Sequence, residues 1–323
     1  MSSCSRRFGQ VSSLFDPLAG SLVREPRGQG AGYWAGAPGA FYDHDTGLFY
    51  LTYRLREPRP VRGGTSRLAV GRDGIHFDDI LELRKEELDS ASIERCAILK
   101  GLDGRWRWYL SYVDPATSQW RIDVVEAERP EQFEVAHRRP VFVSADLPGI
   151  EGIKDPYLFV MGRLYYLVAS IGLSVEVPAE AAGSKHATGD IFNTGLTISS
   201  TGLAVSHDGV DFRWLGVTDA PRGEWDRYCF RVNSLLWTPP YFTAFYDGSA
   251  SVAENYEERC GLAQTLNLLD YQRVSAAAPL LTVPHQSGSV RYVDALPVGE
   301  RVFFYYEMVR EDGAHELRVA VTG

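Results

Sequence analysis

Short apolar and aromatic runs recur along this chain, and turns rich in Gly, Pro and Asp separate them. Five stretches share one layout, in which an apolar run, a turn and an aromatic strand follow one another. They read GAFYDHDTGLFYLTYR, CAILKGLDGRWRWYLSYVD, YLFVMGRLYYLVASI, SLLWTPPYFTAFYDG and VDALPVGERVFFYYEM. Each predicts a β-hairpin, with the turn residue placed where the backbone must reverse. A further strand follows each hairpin. LAVGRDGIHF from Leu68 returns as LAVSHDGVDF from Leu203, with looser copies VVEAERPEQF from Val124, LAQTLNLLDY from Leu262 and a final RVAVTG. With Ala69, Val125, Ala204, Ala263 and Ala320 as anchors, the spacings are 56, 79, 59 and 57 residues, so one repeat carries an insertion.

A fourth strand after each DG-type turn makes every repeat a four-stranded antiparallel sheet. The fold class predicted is all-β, a five-bladed β-propeller spanning residues 1–323 as one domain. The insertion falls in the third blade, at about 172–200. The last copy leaves no room for a fourth strand, so the stretch from Val11 to Phe15 is expected to supply it and close the ring. No long helix is demanded, although RKEELDSAS from Arg84 to Ser92 has the composition of a short one. A β-sandwich with coincidental spacing is the competing architecture, and five copies in register argue against it.

Composition narrows the function classes. Apolar residues at 45% and charged residues at 23% exclude a disordered or fibrous chain. The 33 basic and 42 acidic residues give a formal charge of -9, which draws neither nucleic acid nor anionic lipid, and neither is expected as a partner. No apolar run is long enough to span a bilayer, and the first twenty residues lack the apolar stretch of a secretion signal. A cytoplasmic location is therefore expected. Cys4, Cys96, Cys229 and Cys260 lie far apart, without zinc-ligand spacing, and no GxSxG, GxxxxGK[ST], HExxH or GxGxxG motif is present. No metal and no cofactor are expected, while a single ion in the channel would leave no mark in the sequence.

In a propeller the first strand of each blade lines the central channel, and the residues leading into it share a face with the loops joining second and third strands. The leading residues are Trp34 to Pro38, Ser92 to Cys96, Ile153 to Pro156, Tyr228 to Asn233 and Ser289 to Asp294. The loops begin at Arg54, Asp114, Ser170, Asp247 and Glu307. The long REPRPVRGGTS segment and the insertion would overhang the same mouth, where binding function tends to reside.

These residues carry a resemblance. IKDPYLF, with Asp155 leading into the third inner strand, resembles the xDP motif of five-bladed propeller glycoside hydrolases. Those are the β-fructosidases of family 32, the xylosidases and arabinanases of family 43 and the mannoside phosphorylases of family 130. The LAVSxDGxxF strand ends and the YDG…NYEERCGLA stretch from Tyr246 resemble them too. The resemblance implies acids leading into blades one, three and four. Here blade one has Ala37 in GAP, and blade four reads CFRVNS with no carboxylate. The nearest match to the acidic motif of family 130 is SIERCAIL, with Glu94 followed by Arg95.

Glycoside hydrolysis needs two carboxyl groups, one to protonate the leaving oxygen and one to activate water or attack. Asp155 is the first candidate, its bland alternative being a strand cap or a partner of Lys154. Glu94 is the second, beside an Arg95 that would hold it ionised or contact substrate, or merely form a surface pair. Asp294 is a third. Strand alternation puts it with Tyr292, opposite Arg291 and Val293. Asp247 and Glu307 suit sugar hydroxyls, or cap loops. Arg54, Arg231 and Arg291 suit carboxylate, phosphate or hydroxyl, or pair with these acids. Trp34 and Tyr228 offer flat faces for stacking on a sugar ring. The insertion reads as a lid carrying His186, Asp190 and Asn193, or as an oligomer contact.

The function expected is an inverting glycoside hydrolase acting on a small oligosaccharide or glycoside. One alternative is a glycoside phosphorylase, in which phosphate replaces the protein base and the three arginines hold it. The other is a catalytically silent sugar-binding propeller.

Overall fold

The computed structural model describes residues 14–323. Aromatic and β-branched runs form strands, and the Gly- and Asp-containing segments between them form the turns. Ser21–Arg24 is β1. The next group comprises Trp34–Asp43 (β2), Leu48–Glu57 (β3), Arg62–Gly71 (β4) and Phe77–Arg84 (β5). It is followed by Ala97–Lys100 (β6), Trp106–Val113 (β7), Trp120–Ala127 (β8) and Arg139–Phe142 (β9). Then come Ile150–Met161 (β10), Leu164–Ser174 (β11), Thr197–Ser206 (β12) and Phe212–Val217 (β13). After these lie Cys229–Thr238 (β14), Tyr241–Ser249 (β15), Arg259–Thr265 (β16) and Tyr271–Arg273 (β17). The chain ends in Val290–Val298 (β18), Arg301–Val309 (β19) and His315–Thr322 (β20).

Within each of the first four groups the strands pair antiparallel in chain order, and β18, β19 and β20 do the same with β1 on the outer edge. All five alanine or valine anchors fall on third strands: β4, β8, β12, β16 and β20. The first strands β2, β6, β10, β14 and β18 touch one another in that order, and β18 touches β2. Apolar side chains gather between neighbouring sheets. One cluster joins Ile98 and Trp108 to Tyr50 and Leu68, and another joins Phe304 and Val290 to Phe245 and Leu236. Burial between sheets is the main stabilising term, and it leaves the innermost strand ends to polar groups.

Three expectations need correction. The strand paired with β20 is Ser21–Arg24, where the stretch from Val11 to Phe15 is expected from the sequence. Residues 11–13 lie outside the described residues, and Phe15 is used as core, its ring 4.8 Å from Phe304 and 4.9 Å from Tyr306. The segment from Arg84 to Ser92 forms only a 3-10 turn, Lys85–Leu88, which Asp89 ends in the left-handed region at φ 51°. Strict alternation fails on β18. A bulge between Arg291 and Asp294 puts Arg291 and Tyr292 toward the same charged cluster and turns Asp294 away.

The same device recurs where first strands begin. Register shifts interrupt β2 after Gly36, β10 after Lys154 and β18 after Arg291. At each a side-chain-bearing residue takes positive φ: Ala37 at 50°, Asp155 at 55° and Tyr292 at 53°. Non-glycine residues avoid this region unless surrounding structure holds them there, and such strain gathers at functional sites.

Candidate active site

The start of β10 places Asp155 at the centre of a charged cluster. Its Oδ1 accepts from the Arg95 backbone amide at 3.2 Å. Its Oδ2 lies 3.4 Å from Arg231 Nη1, 3.5 Å from Lys154 Nζ and 3.3 Å from the Tyr292 hydroxyl. That hydroxyl is also 3.4 Å from Glu94 Oε2. Two carboxylates from neighbouring sheets therefore reach one phenol, and the oxygens facing it are no more than about 6.7 Å apart. That upper bound reaches only the lower edge of the spacing of about 6.5–9.5 Å found in inverting glycosidases and also admits the roughly 5–5.5 Å of retaining ones.

Cations cap the acids. Glu94 is ion-paired to Arg54, not to Arg95, and Arg56 Nη1 stands 3.7 Å from its other oxygen. Arg95 runs inward, donating to the carbonyls of Pro38 at 2.6 Å and Asn233 at 2.7 Å and pairing with Asp294 at 3.0 Å. Arg231 Nη2 meets Asp247 at 2.5 Å, and Arg291 bridges Glu258 at 2.7 Å and Glu307 at 2.6 Å. His315 lies between Glu307 at 3.0 Å and Glu257 at 3.1 Å. Glu94, Asp155, Arg54 and Arg291 are each 1% exposed, so these pairs are desolvated.

Burial and partners set the ionisation. Burial pushes Asp247 up to about 6 despite Arg231 beside it. Burial acts the same way on Glu258, but Arg231 and Arg291 outweigh it and hold that carboxyl down to about 2. Burial depresses Lys154, Arg62 and Arg56, the last to about 10. His315 is raised, because Glu257 and Glu307 more than offset its burial.

The predicted residues divide into two sets. Glu94, Asp155, Arg54, Arg231, Asp247, Arg291 and Glu307 meet in this cluster, with Trp34 beside it. The Trp34 ring is already walled by Arg56 at 4.7 Å and Arg291 at 5.0 Å, with Tyr256 at 5.4 Å. Tyr228 is buried, its hydroxyl donating to the Phe192 carbonyl at 2.7 Å. Asp294 stands on the far side of Arg95 and lines a cavity of about 1050 Å³ at the other ends of the first strands, together with Tyr157, Phe159 and Trp237. Ala37, where the resemblance implies an acid, gives its backbone amide to Glu307 at 3.1 Å.

The insertion closes over the cluster. Its Asp190 is fully buried, accepting from Trp120 Nε1 at 3.1 Å and from the Tyr256 hydroxyl, with Arg62 at 3.7 Å. Arg62 also donates to the carbonyls of Thr188 and Gly189, each at 3.1 Å. Arg56, Arg62, Tyr256, Glu258, Tyr292 and His315 were not singled out from the sequence. Arg56 had a signal, since it lies two residues beyond Arg54 and so on the same strand face. Tyr292 had only a misleading one, since alternation set it with Asp294 and opposite Arg291, and the bulge sets it with Arg291 instead.

No family model matches the chain, and no curated protein matches it. Solved structures do. A thermostable family-43 glycoside hydrolase is 12% identical with a TM-score of 0.65, over 93% of this chain and 91% of that one. A structure of the GH130 family, described as mannoside phosphorylases containing glycoside hydrolases that target β-1,2 mannosidic linkages in Candida mannan, is 13% identical. Its TM-score is 0.64, over 97% of this chain and 95% of that one. A family-43 enzyme of Xanthomonas citri complexed with xylotriose is 12% identical with a TM-score of 0.61, over 93% and 89%. The chain thus has the fold of the propeller-type glycoside hydrolases.

Proposed function

We propose that this chain is a glycosidase, a single five-bladed propeller whose ring β1 closes against β20, acting in the cytoplasm on a small oligosaccharide or glycoside. The contact of Glu94 and Asp155, from different sheets, with one Tyr292 hydroxyl carries the reading. A sugar seated there would have a carboxyl group on either side of its anomeric carbon. One carboxyl would give its proton to the leaving oxygen as the glycosidic C–O bond breaks; the other would take a proton from the attacking water, inverting the centre. Asp294 lies outside this pair. Asp247 and Glu307 would orient the sugar through Arg231 and Arg291, and the insertion must lift for substrate to enter.

Turnover of aryl glycosides and short oligosaccharides by wild type, Asp155→Asn and Glu94→Gln tests the assignment. Either substitution should lower kcat by about 10²-fold or more, the usual contribution of a general acid or base. Unchanged turnover in both variants would sink it.

One observation favours a second reading, a sugar-binding propeller without turnover: each central carboxylate already carries an arginine, and Ala37 stands where a further acid is implied. It predicts stabilisation by sugar without product.

A further inference from the structure

Charge is unevenly spread across the cluster. On the side of β14 and β18, Arg231, Arg291 and His315 face Asp247, Glu258, Glu307 and Glu257, and the closest pairs stand at 2.5–3.1 Å. Beneath the insertion the balance reverses. Arg54, Arg56, Arg62 and Lys154 meet two carboxylates of their own, Glu94 and Asp190, and share Asp155 with Arg231. Arg54 takes Glu94 directly, so Arg56 has only the 3.7 Å contact.

Arg56 is 5% exposed, and two rings cover one flank of its guanidinium, Trp34 at 4.7 Å and Tyr256 at 4.5 Å. Among the described residues its Nη1 has no hydrogen-bond acceptor. Nor do Arg54 Nη2, Arg62 Nε and Trp34 Nε1 around it. Buried N–H groups are nearly always paired, and a buried guanidinium without a close counterion is costly. Donors in excess beside a surplus positive charge recognise an oxyanion, and the planar fork of arginine favours one that accepts two N–H bonds at once.

We propose that the ligand of this channel carries an oxyanion, a carboxylate or a phosphate, that seats against Arg56 and Arg62 beneath the insertion. The inference rests on the glycosidase reading and deepens it, making the substrate an acidic sugar or giving the reaction an anionic co-substrate. Asp190, the insertion's own carboxylate, already holds the Arg62 side of this seat. Opening the insertion would withdraw it and leave both guanidinia to an incoming anion.

Thermal unfolding with glucuronate, galacturonate and mannuronate, with glucose, galactose and mannose, and with inorganic phosphate, all at matched ionic strength, tests the proposal. An acidic sugar or phosphate at ten times its Kd should raise Tm by about 2 °C, and the neutral sugars should not. Uronates alone would mark the source as the substrate, and phosphate alone would mark it as a co-substrate. Arg56→Met should abolish the shift, while Arg56→Lys, the folded control that keeps the charge, should retain part of it. Neutral sugars acting as strongly as acidic ones, no shift with any anion, or a shift that survives Arg56→Met would overturn it. Turnover of neutral glycosides by a protein that ignores anions would leave the glycosidase reading standing and this inference fallen.

Discussion

Asp155 and Tyr292 both turn their strands through the left-handed region, at φ 55° and 53°, and their side-chain tips meet at 3.3 Å. Two bulges on different sheets thus aim a carboxylate and a phenol at one point. Alternation along a flat strand cannot do this, because it sends successive side chains to opposite faces. The strain is held by Ser111 Oγ, which accepts from the Asp155 amide at 3.1 Å, and by Asp247, which accepts from the Tyr292 amide at 3.1 Å.

This geometry separates two substitutions at residue 155. Asparagine tolerates positive φ about as well as aspartate, whereas alanine in that region costs about 1 kcal/mol or more. Asp155→Ala should therefore be less stable than Asp155→Asn by about that amount, with both lacking turnover. Denaturant midpoints of the two purified variants check the difference; equal midpoints would mean that backbone strain plays no part.

Arg54 and Glu94 form a desolvated pair, so removing one partner leaves a buried charge uncompensated. Arg54→Met should lose about 3–5 kcal/mol of stability, and Arg54→Met with Glu94→Gln should recover much of it. A double-mutant cycle by urea unfolding reads the coupling. Additive losses would show that the pair contributes nothing beyond its separate parts.

His315 gives the site a pH dependence. Its folded pKa is raised, so the folded state holds a proton that the unfolded chain releases near pH 6.5. The stability this proton confers is complete below pH 6.5 and is lost as pH rises through the folded value, with a slope of at most about 1.4 kcal/mol per pH unit. Replacing the residue by glutamine should flatten that stretch of the stability curve. Chemical denaturation at several pH values between neutral and mildly alkaline provides the comparison, and an unchanged slope would remove His315 as its source.

The repeat was legible because it is written in local chemistry, aromatic hairpins followed by a small buried anchor such as Ala69 or Ala204. Asp155 was legible for the same reason, through the proline after it. What the sequence hid depends on distance. Arg54 and Glu94 are forty residues apart and become partners only when β3 meets the residues leading into β6, while the adjacent Arg95 suggested a pair that its inward path forbids. Alternation grouped Tyr292 with Asp294 and apart from Arg291, and the bulge between them regroups Tyr292 with Arg291 and turns Asp294 away.

Asp190 anchors the insertion, and this sets how the site opens. Its carboxylate takes hydrogen bonds from Trp120 and Tyr256 and faces Arg62, while Lys154 and Arg62 hold it ionised against the opposing effect of burial. Beyond it, Ile191 and Phe192 pack on Val113 and Trp120, whereas the leading part of the segment is held more lightly: Lys185 and His186 reach Glu151, at 2.7 and 3.0 Å, and His186 also meets Gln119 at 3.1 Å. Asp190→Ala should therefore free the stretch 175–190 while the sheets stay folded, since this part of the segment lies ahead of the buried Ile191 and Phe192 and supplies no strand. Limited proteolysis should then cut within that stretch several-fold faster than in wild type, with the global unfolding midpoint lowered far less than by Arg54→Met. Protection equal to wild type would place the anchor elsewhere. A midpoint that fell as far as in Arg54→Met would instead make the insertion part of the folded core.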